Sequence, residues 1–286
     1  AHQEERQNSS SAVQLTTPTA AGRAHLRSLF PQGASPNVDL LLDVTKNSVG
    51  VTNPVNVPLG VVNGLDRGNL EVGEFFRSYG VNATLRQWQA RVDHKLSDRD
   101  QLSGRFLSDR QNTPKGGNAT YEGFDADFTA RLYNLLLAET HVFSPSLTNE
   151  ARLAYNRIAY DFPLVDPNGL AGTLPFIGIL PISTLGISAA FPQGRIANNY
   201  TFQDTVTWVR GSHTWRGGVD LLRQISTQTA PFNARGTISF TSSAGFNNVG
   251  NFVDNFGGTS GSATRDFGSG KYFPSLYRTA VFAQDR

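Results

Sequence analysis

The groups in this chain that could do chemistry are 5 histidines, 23 acidic residues and a scatter of serines. A zinc site needs three or four ligands that spacing brings together. His2, His25, His94, His141 and His213 are far apart, and none has a second ligand at helical or hairpin spacing, so no metal site is expected. Serine, histidine and aspartate are all present, but no Gly-x-Ser-x-Gly elbow holds a nucleophile. Gly257, Gly258, Thr259, Ser260 and Gly261 read as a flexible loop. Gly270 and Lys271 lack the upstream glycine of a phosphate loop. Asp125 with Asp127, and Asp166 with Asn168, offer calcium-type oxygens, yet ordinary turn chemistry accounts for them more simply. Zero cysteine removes thiol nucleophiles, disulfides and Cys-ligated metals. The chain is therefore not expected to be an enzyme or to hold a cofactor.

The remaining charges follow a period of two. Between 88 and 96, Trp88, Ala90, Val92 and Leu96 fall on one face of an extended strand, and Gln89, Arg91, Asp93 and Lys95 fall on the other. After a polar turn around Asp98, Leu102, Gly104 and Phe106 oppose Ser103 and Arg105, which makes an antiparallel hairpin over 86–110. A second hairpin, 130–160, turns at Pro145 and carries Glu150 and Arg152 on its polar side; a third, 199–225, turns at Gly211; and a further strand starts at 276. Arg91, Asp93, Lys95, Arg105, Glu150 and Arg152 are the candidates for a polar, lumen-facing wall, where they would line a path, grip a plug or simply satisfy one another as cross-strand ion pairs. Asp204 shares a face with Tyr200, Phe202, Val206 and Trp208, so the lipid face of 200–209 stays open.

Stepwise along the chain, turns at one end are about four residues long, whereas the connections at the other (111–127, 161–199 and 226–274) are far longer. Strands of about ten residues with this asymmetry, and aromatics near their ends, are what a tilted strand crossing a hydrocarbon layer requires. The fold class expected is all-β: a partial transmembrane antiparallel β-barrel, about seven strands of a larger barrel, with short periplasmic turns at Asp98, Pro145 and Gly211 and long extracellular loops. Residues 1–85 are expected to be a loop region with two short helices and a possible edge strand, and 86–286 the barrel segment. The first 17 residues read as a polar, serine-rich loop tip. Thr19 caps one helix that Pro31 stops, and Ser35 with Pro36 starts the other. The uncharged window 170–191 is no spanning helix, because Pro175, Pro181, Gly172, Gly178 and Gly186 interrupt it. A net charge of +2, with lysines and arginines spread among acids, leaves no nucleic-acid footprint.

Gln87 to Ser97 (QWQARVDHKLS), with Asp100, Leu102 and Arg105, resembles the barrel of TonB-dependent outer-membrane receptors of the Oar-like group. Phe143 to Arg157 (FSPSLTNEARLAYNR), Leu180 to Gly186 (LPISTLG), Gly211 to Asp220 (GSHTWRGGVD) and Phe282 to Asp285 (FAQD) resemble the same group in order, and Pro18 to Phe30 does so more weakly. The resemblance implies a barrel of about twenty-two strands closed by an N-terminal plug. It implies outer-membrane lipid, the plug domain of the same parent chain, the TonB energy-coupling protein and an unknown extracellular ligand as partners. The chain is then expected to be an internal piece of the barrel of a bacterial outer-membrane receptor that imports a scarce nutrient. The alternatives are an adhesin or secretion-associated barrel without import, and a soluble secreted carbohydrate-binding β-sandwich using Phe246, Phe252 and Phe256.

Overall fold

A computed structural model describes residues 1–257 and 259–286; Gly258, part of the glycine run read as a flexible loop, lies outside the described residues. Alternation of apolar and polar side chains drives one ten-stranded antiparallel sheet. Its long strands are β1 (His2–Pro18), β2 (Asn69–Lys95), β3 (Asp100–Ala119), β4 (Asp125–Ser144), β5 (Leu147–Phe162), β6 (Gln193–Arg210), β7 (His213–Thr229) and β8 (Ser275–Asp285). They pair in chain order as a meander, and β1 and β8 form the outer edges, so the sheet is not closed. Thr52–Pro58 pairs with the cap end of β2 on the side opposite β1, beyond the pairing of β2 with β3, and Lys271–Tyr272 continues the edge beside β7.

The strands reach further than the sequence suggested. Residues 2–18 are not a loop tip: β1 pairs with β2 along its whole length, from His2 opposite Trp88 to Pro18 opposite Val72. The boundary expected at 85/86 therefore falls inside β2. Polar serines and glutamines carry no apolar alternation, so this strand is defined by its partner's backbone rather than by its own side chains. The loop expected at 111–127 is likewise mostly strand: β3 runs to Ala119 through an irregular register, and only 120–124 connects it to β4.

Register settles the faces. Directly opposed residues of an antiparallel pair share a face. One row runs Val92, Gly104, Leu137, Leu153, Phe202, Leu221, Thr279. Tyr200, Phe202, Val206 and Trp208 lie on this apolar face, which answers the question left open for 200–209. Among the described residues no second layer covers it: Val92 is 67% exposed and Leu153 56%. The soluble two-sheet sandwich is therefore not what forms, and Phe252, one of its three proposed sugar-stacking rings, is fully buried.

The connections at the other end fold together into a cap. Helix α1 (Ala20–Leu29) starts where the Thr19 hydroxyl accepts from Gly22 N at 3.0 Å. Helix α2 (Pro36–Thr45) has Ser35 as its cap and Pro36 in its first turn, as the sequence pattern requires. A Cβ on Gly22 would lie 2.1 Å from Glu71 O, so only glycine lets α1 sit this close to β2. Leu26, Leu41 and Leu59 from the first connection, Tyr121 and Phe124 from the second, Ile179, Ile182 and Leu185 from the third, and Val249 and Phe252 from the fourth share one hydrophobic core. Val13, Leu15, Phe75 and Ala126 join it from the polar-face register of β1, β2 and β4. Arg67, 6% exposed, ties the first connection to the fourth through Asp254 at 2.7 Å, and Asn37 donates to Phe252 O at 2.7 Å. Arg235 donates to Ile187 O and Ser188 O, which joins the fourth connection to the third.

Because one core serves all four connections, Phe252→Ala is expected to loosen the cap as a unit, at a cost of about 3–5 kcal/mol. Limited proteolysis of the folded protein should then show new cuts in 19–68 as well as in 230–270. New cuts confined to 230–270 would show that the connections fold separately.

Candidate functional site

The polar face is built by the same registers. Arg91 lies opposite Arg105; Asp93 faces Ser103, which continues through Ala138 to Arg152; and Lys95 faces Gln101, which continues through Thr140 to Glu150. All six candidate residues thus sit in three adjacent rows of one face, spread over β2, β3 and β5. They do not pair across strands as the sequence suggested. Arg91 binds Asp93 two residues along its own strand, at 2.8 and 3.0 Å, and Arg152 binds Glu150 in the same way at 2.6 Å. Lys95 turns instead to Asp98, at 2.6 Å, in the adjoining turn. Arg105 has no acidic partner among the described residues and stands against Arg91. The six are exposed or half-exposed and comprise four cations and two acids, and their exposed ion pairs add little stability.

Asp98, Pro145 and Gly211 lie in the three short turns at the end opposite the cap. Ser97 Oγ accepts from Arg99 N and Asp100 N, both at 3.0 Å, and Gly211 adopts φ +61°, which makes these turns tight.

Where the polar face runs under the cap, a cavity of about 530 Å³ is lined by Asn47, Phe75, Arg77, Tyr79, Lys115 and Glu122 among others. Arg77 grips the buried Asp125 with two hydrogen bonds, at 2.7 and 2.8 Å, and donates to Thr120 O at 2.7 Å. Lys115 lies over the Tyr79 ring at 5.5 Å. Tyr121 OH donates to Thr16 O at 3.0 Å, and burial pushes its phenol well above the ordinary range, so it remains a neutral donor. The aspartates weighed for calcium have structural partners. Asp125 serves Arg77, Asp127 accepts from Lys115 N at 2.8 Å, and Asp166 accepts from Gly169 N at 2.9 Å in a local turn.

One cluster escaped the sequence reading. His141 does have ligand-type neighbours: Glu139 is two residues away on the same face, and Asp100 lies directly opposite. The ligand atoms of Asp100, Glu139 and His141 lie within 4.8 Å of one another, a set able to hold a divalent cation, and His141 Nδ1 is 2.5 Å from Asp100 Oδ1. Asn149 donates to Asp204 beside them. The cluster sits on the apolar face near the short turns. Only the pairing register could have revealed it, because Asp100 and His141 are on different strands.

A family model described as an outer membrane beta barrel domain matches residues 1–286. No curated protein sequence matches the chain. Among solved structures, the outer membrane transporter YddB from Escherichia coli is similar, at 12% identity and a TM-score of 0.47, over 82% of this chain and 28% of that one. The chain thus spans little more than a quarter of that transporter's length.

Arg77→Ala would take from the Asp125 carboxylate, only 3% exposed, its two short guanidinium bonds and leave only Lys115 Nζ, at 4.0 Å, as a cation beside it. A local cost of about 3–5 kcal/mol is expected, read as faster amide hydrogen exchange over 119–127. The double replacement Arg77→Met with Asp125→Leu should exchange more slowly than Arg77→Ala alone, since no charge is then stranded. Equal exchange in the two would show that the ion pair does not hold this connection.

Proposed function

For a chain that belongs to the outer membrane beta barrel domain family, we propose that it forms part of the barrel of a TonB-dependent receptor that binds and imports a scarce nutrient. It lies in the bacterial outer membrane, with its apolar face against lipid. The observation that carries the reading is a face whose charged residues lie exposed near the short turns and which, through rows of mixed polar and apolar residues, leads to the polar cavity beneath a folded cap. A wall that served only as scaffold would need no uncompensated cations, yet Arg105 is left facing Arg91.

In this reading Arg91, Asp93, Lys95, Arg105, Glu150 and Arg152 face the lumen and meet the plug domain of the parent protein. The short turns at Asp98, Pro145 and Gly211 face the periplasm. The cap presents the ligand-binding surface, and force from the energy-coupling protein displaces the plug. The sequence resemblance supports the last two steps. Catalysis has no place in the scheme.

Two measurements test the reading. In the first, compounds taken from the medium are compared by mass spectrometry for wild-type cells, cells lacking the parent gene and cells lacking the energy-coupling protein. Import predicts at least one compound depleted only by the wild type. Identical depletion in all three would favour a barrel that displays or secretes without importing. In the second, arginine is placed on each face in turn. Leu137→Arg, in the middle of the apolar face, should cost about 2–4 kcal/mol and lower the yield of heat-modifiable, assembled protein. Ser103→Arg, opposite Asp93 on the polar face, should assemble normally. Equal assembly of the two would overturn the assignment of faces.

A further inference from the structure

On the apolar face, one row toward the cap from Trp88, the chemistry changes abruptly. Arg86, Arg110 and Arg131 lie directly opposite one another on β2, β3 and β4, so three guanidinium groups rise from Cα atoms only about 5 Å apart. Like charges directly opposed in a sheet destabilise it unless something neutralises them. Glu4, at the β1 edge, reaches Arg86 at 3.4 Å, but it is also held by Arg6 at 2.8 Å. Neither Arg110 nor Arg131 has an acidic partner within 4.0 Å among the described residues. Asp161 of β5 lies diagonally across from Arg131 on the same face and offsets part of its charge, whereas Arg110 has no such neighbour, so the row carries more positive charge than the protein neutralises.

Below it the surface is shaped. A cleft of about 600 Å³ has Arg86 and Arg110 at its upper rim and Trp88, Ala90, Phe106 and Tyr133 along its lower wall. Trp and Tyr mark the level where hydrocarbon gives way to headgroups. The cap lies on the long-connection side, which in this class of barrel faces outward, so the arginine row stands at the headgroup level of the outer leaflet. An occupant must present an anion at the rim and hydrocarbon along the wall. Arginine matches a phosphate with paired, charge-assisted hydrogen bonds.

We propose that Arg86, Arg110 and Arg131 form a binding site for the phosphate-bearing headgroup of an outer-leaflet lipid, whose acyl chains follow the Trp88–Phe106–Tyr133 wall. The inference needs only the apolar face to lie in the membrane, and it stands or falls independently of nutrient import. Glu4 competes with the phosphate for Arg86, so it moderates the affinity of the site.

The test uses the full-length parent protein in detergent micelles and three probes: a bis-phosphorylated, acylated glucosamine disaccharide, the same lipid without its phosphates, and inorganic phosphate. The phosphorylated lipid should bind the wild type, and the dephosphorylated lipid should bind at least about tenfold more weakly. Inorganic phosphate at the same concentrations should not compete, because it lacks the chains that fill the wall. Arg110→Gln with Arg131→Gln should weaken binding of the phosphorylated lipid by about thirtyfold. Glu4→Gln, which removes only the competing acid, should tighten it by a few fold, and this second variant keeps the test decisive if the double variant fails to assemble. Equal affinity for the two lipids, displacement by inorganic phosphate, or affinity unchanged in both variants would each overturn the proposal.

Discussion

A strand in hydrocarbon has no water to bond its backbone, so each peptide group must find its partner on the next strand. That requirement governs this molecule more than any side-chain contact does. It fixes the meander of β1 to β8, in which every long strand pairs with its neighbours in sequence. Once the ladder is set, the face of each residue follows from its parity alone, and one row of opposed residues carries one kind of chemistry across the sheet. It also explains why the sheet tolerates strands such as β1, whose side chains are nearly all polar and exposed. The pairing there is carried by backbone, and on its polar face and beyond the membrane its side chains meet water.

At one end the strands continue past the apolar band, and the connections condense into a packed cap. Long connections with a shared core behave unlike separate flexible loops, because loosening one exposes the buried surface of the others. The buried arginines make the same point through charge. Arg67 crosses from the first connection to the fourth, Arg77 holds the second against β2, and Arg235 joins the fourth to the third. Burial pushes the Arg235 guanidinium below its ordinary pKa, yet carbonyl oxygens of the third connection still accept from it. In the proposed receptor, a cap of this kind would present a preformed surface to ligand, with the ordering cost met in folding rather than on binding.

Patterning carried the sequence reading where one face is apolar. Trp88, Val92 and Phe106 marked the first hairpin, and Thr19, Ser35 and Pro36 marked both helices, because caps and period-two alternation are local signals. The reading failed where the signal is not local. Residues 2–18 and 111–119 lack apolar alternation and become strands only because a partner is available. The segment 226–274 is rich in glycine, serine and asparagine and resembles linker, yet its Val249 and Phe252 sit in the core of the cap. Arg91 and Arg105, and Asp100 and His141, are separated along the chain by turns and neighbours of ordinary composition. Their adjacency is a property of the register, which composition does not encode.

The apolar face carries charge near both of its ends and treats the two ends differently; between them Arg157 donates to Asn198 and Arg223 lies over the Tyr277 ring. Near the short turns, Asp100 is answered by His141, and Asp204 by Asn149, so polar groups that would be costly against acyl chains are satisfied within the face itself. Near the cap, Arg110 is given no such partner and Arg131 only the diagonal Asp161, although Ser108 and Tyr133 occupy the adjoining positions where an acid would have served. Hydration alone would tolerate scattered arginines, but it does not favour three of them opposed in one row above a cleft with an aromatic wall. In the proposed orientation the two leaflets meet the protein at these two ends. A face that neutralises its own charge on one side and leaves cations open on the other is suited to an outer leaflet richer in anionic headgroups than the inner one.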